Sequence, residues 1–206
     1  MKNDRETKER LLICAREEFL EKGYQKASLR TICKNAGVTT GALYFFFQDK
    51  EDLFAAIVQP TLDQIRTMAA QHVRQELMML QNLPGADEDN MHDDHNATEQ
   101  ILHVLYKNYD ICQMLLTNSQ GSRYENCLDE FVDLFEKGQR ALADEQAKQL
   151  GIQPPDDYIL HWVIHIDLDA YVHVLLHERD EETALKYMDQ VLDYLLAGWS
   201  ALFQKK

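Results

Sequence analysis

Ser28-Leu29-Arg30-Thr31-Ile32-Cys33-Lys34-Asn35-Ala36-Gly37-Val38-Thr39-Thr40-Gly41-Ala42-Leu43-Tyr44-Phe45-Phe46-Phe47 is the stretch on which the fold turns. Ser28 is a good helix N-cap, and Leu29, Ile32 and Cys33 then point inward from a short helix. Asn35-Ala36-Gly37-Val38 makes a tight turn, because Gly37 can take a positive φ without a Cβ clash. A third helix begins at Thr39 or Thr40 and ends near Phe47. Two short helices joined by a glycine-containing turn form a helix-turn-helix candidate once a longer helix precedes them.

That helix is expected from about Arg5 to Lys22, with Leu11, Leu12, Ala15 and Phe19 on one face and Gly23 as the stop. Downstream, Asp49 caps a fourth helix with Asp52 as capping-box partner, running to about Gln81 with a kink at Pro60. Asn82 to Asn96, with Pro84, Gly85 and a run of Asp, Glu and His, reads as a loop. Further helices follow from Asn96 to about Thr117, from about Tyr124 to Leu150, from about Asp156 to His177 and from Glu181 to Phe203. Ser119–Arg123 and Gly151 with Pro154-Pro155 separate them, and the short turn at Arg179-Asp180 makes the last two antiparallel neighbours. The fold class is therefore all-α. A helix-turn-helix domain over residues 1–50 extends into the linking helix from about 49, and a larger helical domain occupies 51–206.

Composition narrows the function. The net charge is −14, but it is unevenly placed. Residues 1–50 hold ten Lys/Arg and seven Asp/Glu, a net of +3, and the rest hold eleven and twenty-eight, a net of −17. A basic head on an acidic body lets the head approach phosphate while the body is repelled. No run is read as reaching the ~18 apolar residues of a membrane span, and the N-terminus has no apolar signal core, so the expectation is a cytoplasmic protein with no membrane partner. Cys14, Cys33, Cys112 and Cys127 show no paired spacing and read as reduced thiols.

Thr39 and Thr40 stand at the N-terminus of the third helix, where hydroxyls reach base edges in a major groove. Gly41 lets that backbone come close to DNA. Ser28 and Arg30 at the start of the second helix are phosphate candidates, and Ser28 can cap its helix at the same time. Leu11-Leu12 to Phe19, Gly23, Ser28-Leu29-Arg30-Thr31-Ile32, Ala36-Gly37-Val38, Gly41-Ala42-Leu43-Tyr44, Phe47, Lys50 and Leu53 together resemble the N-terminal domain of the TetR family of transcriptional regulators. The likeness spans about residues 5–55. It implies that Tyr44 donates to a phosphate and that Lys50, with the free N–H groups of the fourth helix, holds another. One position departs from the pattern. The family commonly has a hydrogen-bonding residue before the last aromatic, and Phe46 cannot donate there.

The resemblance also implies a C-terminal domain that forms the homodimer and encloses a small effector, and a repressor released from operator DNA by that effector. It implies no cofactor and no catalysis. Leu185, Met188, Val191, Leu192, Leu195, Trp199 and Leu202 recur at helical spacing along the last helix. They form either half of an intersubunit four-helix bundle with the preceding helix or an internal core stripe. Tyr106, Phe135, Trp162 and His165 are the candidate effector contacts, and the acidic body favours a cationic, lipophilic molecule. Asp157, His161, His165, Asp169, His173 and His177, each four apart, form a slowly spiralling polar ribbon. Within it His161, His165 and Asp169 offer a metal two imidazoles and a carboxylate, weighed against a plain polar seam. His92-Asp93-Asp94-His95 is a second such group. Two rival functions remain: an effector-independent DNA-binding protein, which needs no cavity, and a helical metal-dependent enzyme, which needs the ribbon to hold an ion.

Overall fold

A computed structural model describes residues 2–82 and 87–204, with side chains from 4 to 81 and from 94 to 204. The described residues form α1 (Lys2–Lys26), α2 (Leu29–Asn35), α3 (Thr40–Phe46), α4 (Lys50–Asn82), α5 (Asp87–Lys107), α6 (Tyr109–Thr117), α7 (Cys127–Leu150), α8 (Asp157–His177) and α9 (Glu181–Ala201), with no strand among them. The chain divides into two compact units. The first comprises Met1–Gln64 with Asn108–Cys127, and the second Ile65–Lys107 with Leu128–Lys206.

The first unit is built on an apolar face of α1. Leu11, Ala15 and Phe19 are fully buried, as are Ile32, Leu43, Leu53, Phe54 and Val58. The Phe19 ring meets Phe54 edge-on at 4.9 Å, and Phe54 is flanked by Tyr24 at 5.1 Å and Tyr124 at 5.8 Å. Buried rings at such separations add to their area burial through quadrupole contacts. Helical geometry in α1 breaks at Gly23, whose φ of 73° is open to glycine alone at low cost. There Asn118 fastens the chain. Its side-chain N–H donates to the Leu20 carbonyl at 2.8 Å and the Phe19 carbonyl at 3.4 Å, and its own carbonyl accepts from Tyr24 N–H at 2.8 Å. Arg16 pairs with Asp110 of α6 at 2.9 Å.

In the second unit α5, α8 and α9 pack on one another, and α4 and α7 approach closely at Gly138. A Cβ there would lie 2.7 Å from a Val73 methyl, so any larger residue would force Val73 or the backbone to shift. Ala143, Ala147, Leu160 and Phe203 form a buried cluster against which Trp199 and Leu202 pack. Gly151, at φ 66°, ends α7 with bonds from Gly151 N–H to Lys148 O and from Ile152 N–H to Ala147 O. Asp156 caps α8 by accepting from Tyr158 N–H at 2.8 Å, and Asp180 caps α9 by accepting from Thr183 N–H at 2.9 Å.

Several sequence expectations change. The loop read over Asn82–Asn96 is mostly helix, because α5 starts at Asp87; Pro84 and Gly85 lie outside the described residues. From 87 to 107 there is no glycine or proline, and a polar run does not by itself interrupt the backbone. The helix expected from Asn96 to Thr117 is two, interrupted by Asn108 at φ −112°, ψ 28°. Asparagine side chains compete with helical backbone bonding, which makes such a break cheap. α7 begins at Cys127 instead of Tyr124, after turns in which Ser122 and Cys127 N–H groups bond back to Ser119 and Tyr124 carbonyls. α4, in contrast, runs through Pro60 as the single helix expected, to Asn82.

The reading that no stretch is apolar and long enough to span a bilayer is also corrected. α8 has 21 residues and a mean hydropathy of 1.4, with 22% of that window buried. It packs on α5 and α9 and leaves Tyr158, Trp162 and Ile166 exposed. In α9, Met188 and Leu192 are buried inside the protomer, Leu185, Leu195, Trp199 and Leu202 are half-buried, and Val191 is exposed.

Candidate functional site

Ser28 ends an extended segment at φ −111°, ψ 118°, and its Oγ accepts from Thr31 N–H at 3.4 Å. Its own N–H donates to the nearly buried Glu18 carboxylate at 3.0 Å, so both ends of the residue are held. Arg30, two residues on, is exposed. The turn is closed by Ala36 N–H to Ile32 O at 2.9 Å, Gly37 N–H to Lys34 O at 3.2 Å and Val38 N–H to Cys33 O at 2.9 Å. Gly37 sits at φ 66°, where a side chain would be strained. This geometry fixes the exit of α2 and therefore the direction of α3.

On α3, Leu43 and the following Phe47 are buried anchors, while Thr39, Thr40, Gly41 and Tyr44 face solvent together. Thr39 Oγ1 caps the helix by accepting from Ala42 N–H at 3.2 Å. A Cβ on Gly41 would meet only Thr39 Oγ1, at an ordinary 3.8 Å. Nothing inside the protein requires glycine at this place. Phe45, which the sequence reading left without a role, is 75% exposed on the same helix, and its ring meets Phe46 edge-on at 4.9 Å. Exposure of a large aromatic is visible only once the helix is oriented by its Leu43 and Phe47 anchors.

Lys50 opens α4 beside this surface. Its ammonium donates to the Gln25 carbonyl at 3.1 Å and lies 4.7 Å from the Tyr24 ring centre. Burial pushes its pKa down, and the Glu18 charge opposes that shift. Tyr24 donates its hydroxyl to Glu51 at 2.8 Å, which completes the support under Lys50. At the α4 start, Asp49 accepts from Asp52 N–H at 2.8 Å as expected, but Asp52 returns its bond to Gln48 N–H at 3.0 Å, one residue earlier than a standard box.

The second unit distributes the other candidates more widely. The Tyr106 hydroxyl donates to the Glu178 carbonyl at 2.9 Å and the Val174 carbonyl at 3.3 Å, closing the C-terminal end of α8. Phe135 is half-buried and Trp162 is 60% exposed on the outer face of α8. His165 Nε2 lies 3.2 Å from His161 Nε2, and His161 Nδ1 meets Glu136 of α7. Glu136, and not the exposed Asp169, is thus the carboxylate beside that pair. His92 and Asp93 of the other histidine group have side chains outside the described residues. His95 bridges Asp189 at 2.7 Å and Asp193 at 3.2 Å on α9.

A cavity of about 390 Å³ opens between α4 and α5, with Met68, His72, Glu76 and Met79 on one wall and Gln100 and Ile101 on the other. None of Tyr106, Phe135, Trp162 and His165 lines it. Burial, with help from the Asp94 charge and against His72, pushes Glu76 up to about 7. Burial alone pushes Asp167 of α8 up to about 7. Tyr171, one turn further, goes up to about 12 by burial, with its hydroxyl 3.1 Å from Thr98 Oγ1. The sequence does not reveal Glu76 and Asp167 because their burial comes from partners on other helices.

A three-helix head of this geometry, with a half-turn of small polar residues exposed on an anchored third helix, defines the helix-turn-helix class. Residues 11–57 match the family described as bacterial regulatory proteins, tetR family. It is 47% identical over 53 residues to the HTH-type transcriptional repressor BepR of Brucella suis, covering 26% of this chain and 25% of BepR. Against the HTH-type transcriptional regulator UidR of Escherichia coli it is 43% identical over 63 residues, 31% of each chain. The chain thus spans about a quarter to a third of the length of these curated relatives. Among solved structures, a transcriptional regulator from Aquifex aeolicus superposes with a TM-score of 0.61 at 24% identity, covering 92% of this chain and 99% of that one. NalD of Pseudomonas aeruginosa, a secondary repressor of an efflux pump, superposes with a TM-score of 0.61 at 23% identity, covering 94% and 97%. These likenesses establish the fold over nearly the whole chain.

Proposed function

We propose that the chain is a DNA-binding transcriptional regulator that works as a homodimer. In this reading Thr39 and Thr40 read base edges, Gly41 permits close approach, and Ser28, Arg30, Tyr44 and Lys50 hold phosphates. The observation that carries it is Gly41, a glycine with no internal reason to be one, in the middle of the exposed face of α3. Tyr44, 54% exposed, follows Gly41 by three residues and so leaves the same face of α3.

The dimer is assigned to α8 and α9. Tyr158, Trp162 and Ile166 recur every four residues on α8, at 71%, 60% and 45% exposure. Tyr187, Val191 and Tyr194 make a second outward stripe on α9. Two such helices meeting their symmetry mates give a four-helix bundle whose faces are the same patch on both subunits. The effector is assigned to the second unit, where the cavity between α4 and α5 holds acidic and sulfur-bearing groups suited to a cationic, lipophilic molecule. A structural neighbour, FadR of Bacillus subtilis, was solved with stearoyl-CoA; it covers 92% of this chain at 14% identity with a TM-score of 0.57. Release of operator DNA on effector binding makes the regulator a repressor acting in the cytoplasm.

The test is selection of a pseudo-palindromic duplex by the purified protein, followed by fluorescence anisotropy across salt. Lys50→Ala should weaken all duplexes alike and flatten the salt dependence by roughly one phosphate contact per subunit, whereas Thr40→Ala should relax base preference. Binding that is indifferent to salt would overturn the proposal.

A further inference from the structure

His72 and Glu76 stand four residues apart on α4, so their side chains leave the same face of the helix. Asp94 reaches them from α5. His72 Nε2 lies 3.3 Å from Asp94 Oδ1 and 3.6 Å from Glu76 Oε2, and one donor atom from each of the three falls within 4.8 Å of the others. All three side chains are largely withdrawn from solvent, with exposures of 24%, 28% and 15%. A tetrahedral ion with bonds of ~2.0–2.2 Å holds its donors roughly 3.3–3.6 Å apart, the range of the two separations from His72.

Charge points the same way. Two carboxylates converge on one imidazole, and the cavity lining beside them carries methionine, glutamine, asparagine and aliphatic groups but no lysine or arginine. A bound dication would balance that pair and satisfy oxygen and nitrogen donors at once. His72 and Glu76 also line the cavity itself, so the ion would keep an open coordination position towards it.

We propose that His72, Glu76 and Asp94 form a site for a divalent first-row transition ion that ties α4 to α5 at the wall of the cavity. An imidazole with two carboxylates is a borderline donor set that suits zinc, nickel or manganese better than calcium or magnesium. The proposal does not depend on the DNA-binding reading. The imidazole pair His161–His165 with Glu136 is the natural internal control, since surface histidines also take up zinc.

The experiment uses the full chain, stripped with a chelator and titrated with zinc against a competing indicator. Wild type should take up a tight equivalent and gain thermal stability on loading. His72→Ala and the nearly isosteric Glu76→Gln should each weaken that equivalent at least tenfold, with helical circular dichroism unchanged. A variant with both His161→Ala and His165→Ala should retain it. Absence of a tight equivalent in wild type, or its persistence in Glu76→Gln and His72→Ala, overturns the proposal and leaves His72 as an ion-pairing residue only. Loss in the His161 and His165 variant alone would place the ion on α8 and overturn it as well.

Discussion

Replacing Asp167 by asparagine removes an ionisable group from the interior of the second unit with almost no change of shape. Burial is what raises the Asp167 pKa, from an ordinary 3.8 to about 7. The folded state therefore binds a proton more tightly than the unfolded chain. A group raised in this way contributes its full share of stability below pH 3.8, and that share is lost as the pH climbs towards 7. The difference between the two values corresponds to about 4 kcal/mol, an upper bound because water entry and relaxation soften the cost of a buried charge. At pH 5, where the unfolded side chain is already ionised but the folded one is still neutral, Asp167→Asn should stabilise by well under half of that amount. At pH 8 it should stabilise by up to that amount, and in a chain this long each kcal/mol moves the melting temperature by roughly 2–4 °C. The assay is thermal unfolding of both proteins by circular dichroism at pH 5, 6, 7 and 8. Only the difference between them is read, so that other titrating groups cancel. A gap of several degrees should open between pH 5 and 8. Equal gaps at every pH would refute the reasoning, and so would an asparagine variant that is less stable at pH 8.

Other expectations follow from surfaces and fasteners. Trp162→Asp combined with Tyr194→Asp places charges on both outward stripes and should give folded monomers by sedimentation, with operator affinity reduced at least tenfold; a stable dimer would put the interface elsewhere. Phe45→Ala should leave the melting temperature within about a degree, since the ring is 75% exposed, while lowering preference for thymine-containing half-sites in anisotropy. Asn118→Ala removes the donor to the Leu20 and Phe19 carbonyls and should cost about 1–3 kcal/mol in urea unfolding, with the loss absent if those carbonyls simply turn to water.

The head was readable because its cues are local. Gly23 and Gly37 sit where a positive φ is needed, Ser28, Thr39 and Asp49 cap the helices they precede, and the buried positions of α1 follow one face. Each of those signals acts within a few residues. The body was less readable for the converse reason. Trp162 has the composition of a core or pocket residue, yet it faces outward, because which side of α8 is covered depends on α5 and α9. The cavity wall of His72 and Glu76 carries no sequence motif, and Asp94 joins them only through the approach of α5. The segment from Asp87 to Asn96 suggests a loop by its polarity and by Pro84 and Gly85 just before it, although no glycine or proline interrupts it from 87 onward.

The clasp at Asn118 has a consequence for timing. Ninety-odd residues separate Gly23 from Asn118, and a ribosome adding ~5–20 residues each second takes several seconds or more to bridge them. Throughout that interval the Leu20 carbonyl has no Asn118 to receive and Phe54 has no Tyr124 against it. The first part of the chain to be synthesised is therefore not the first to be finished. A nascent chain arrested before residue 118 carries a first unit whose fourth wall has yet to be made. A transplanted head has the same requirement: residues 1–64 moved onto another protein leave their clasp behind, and residues 108–127 must travel with them.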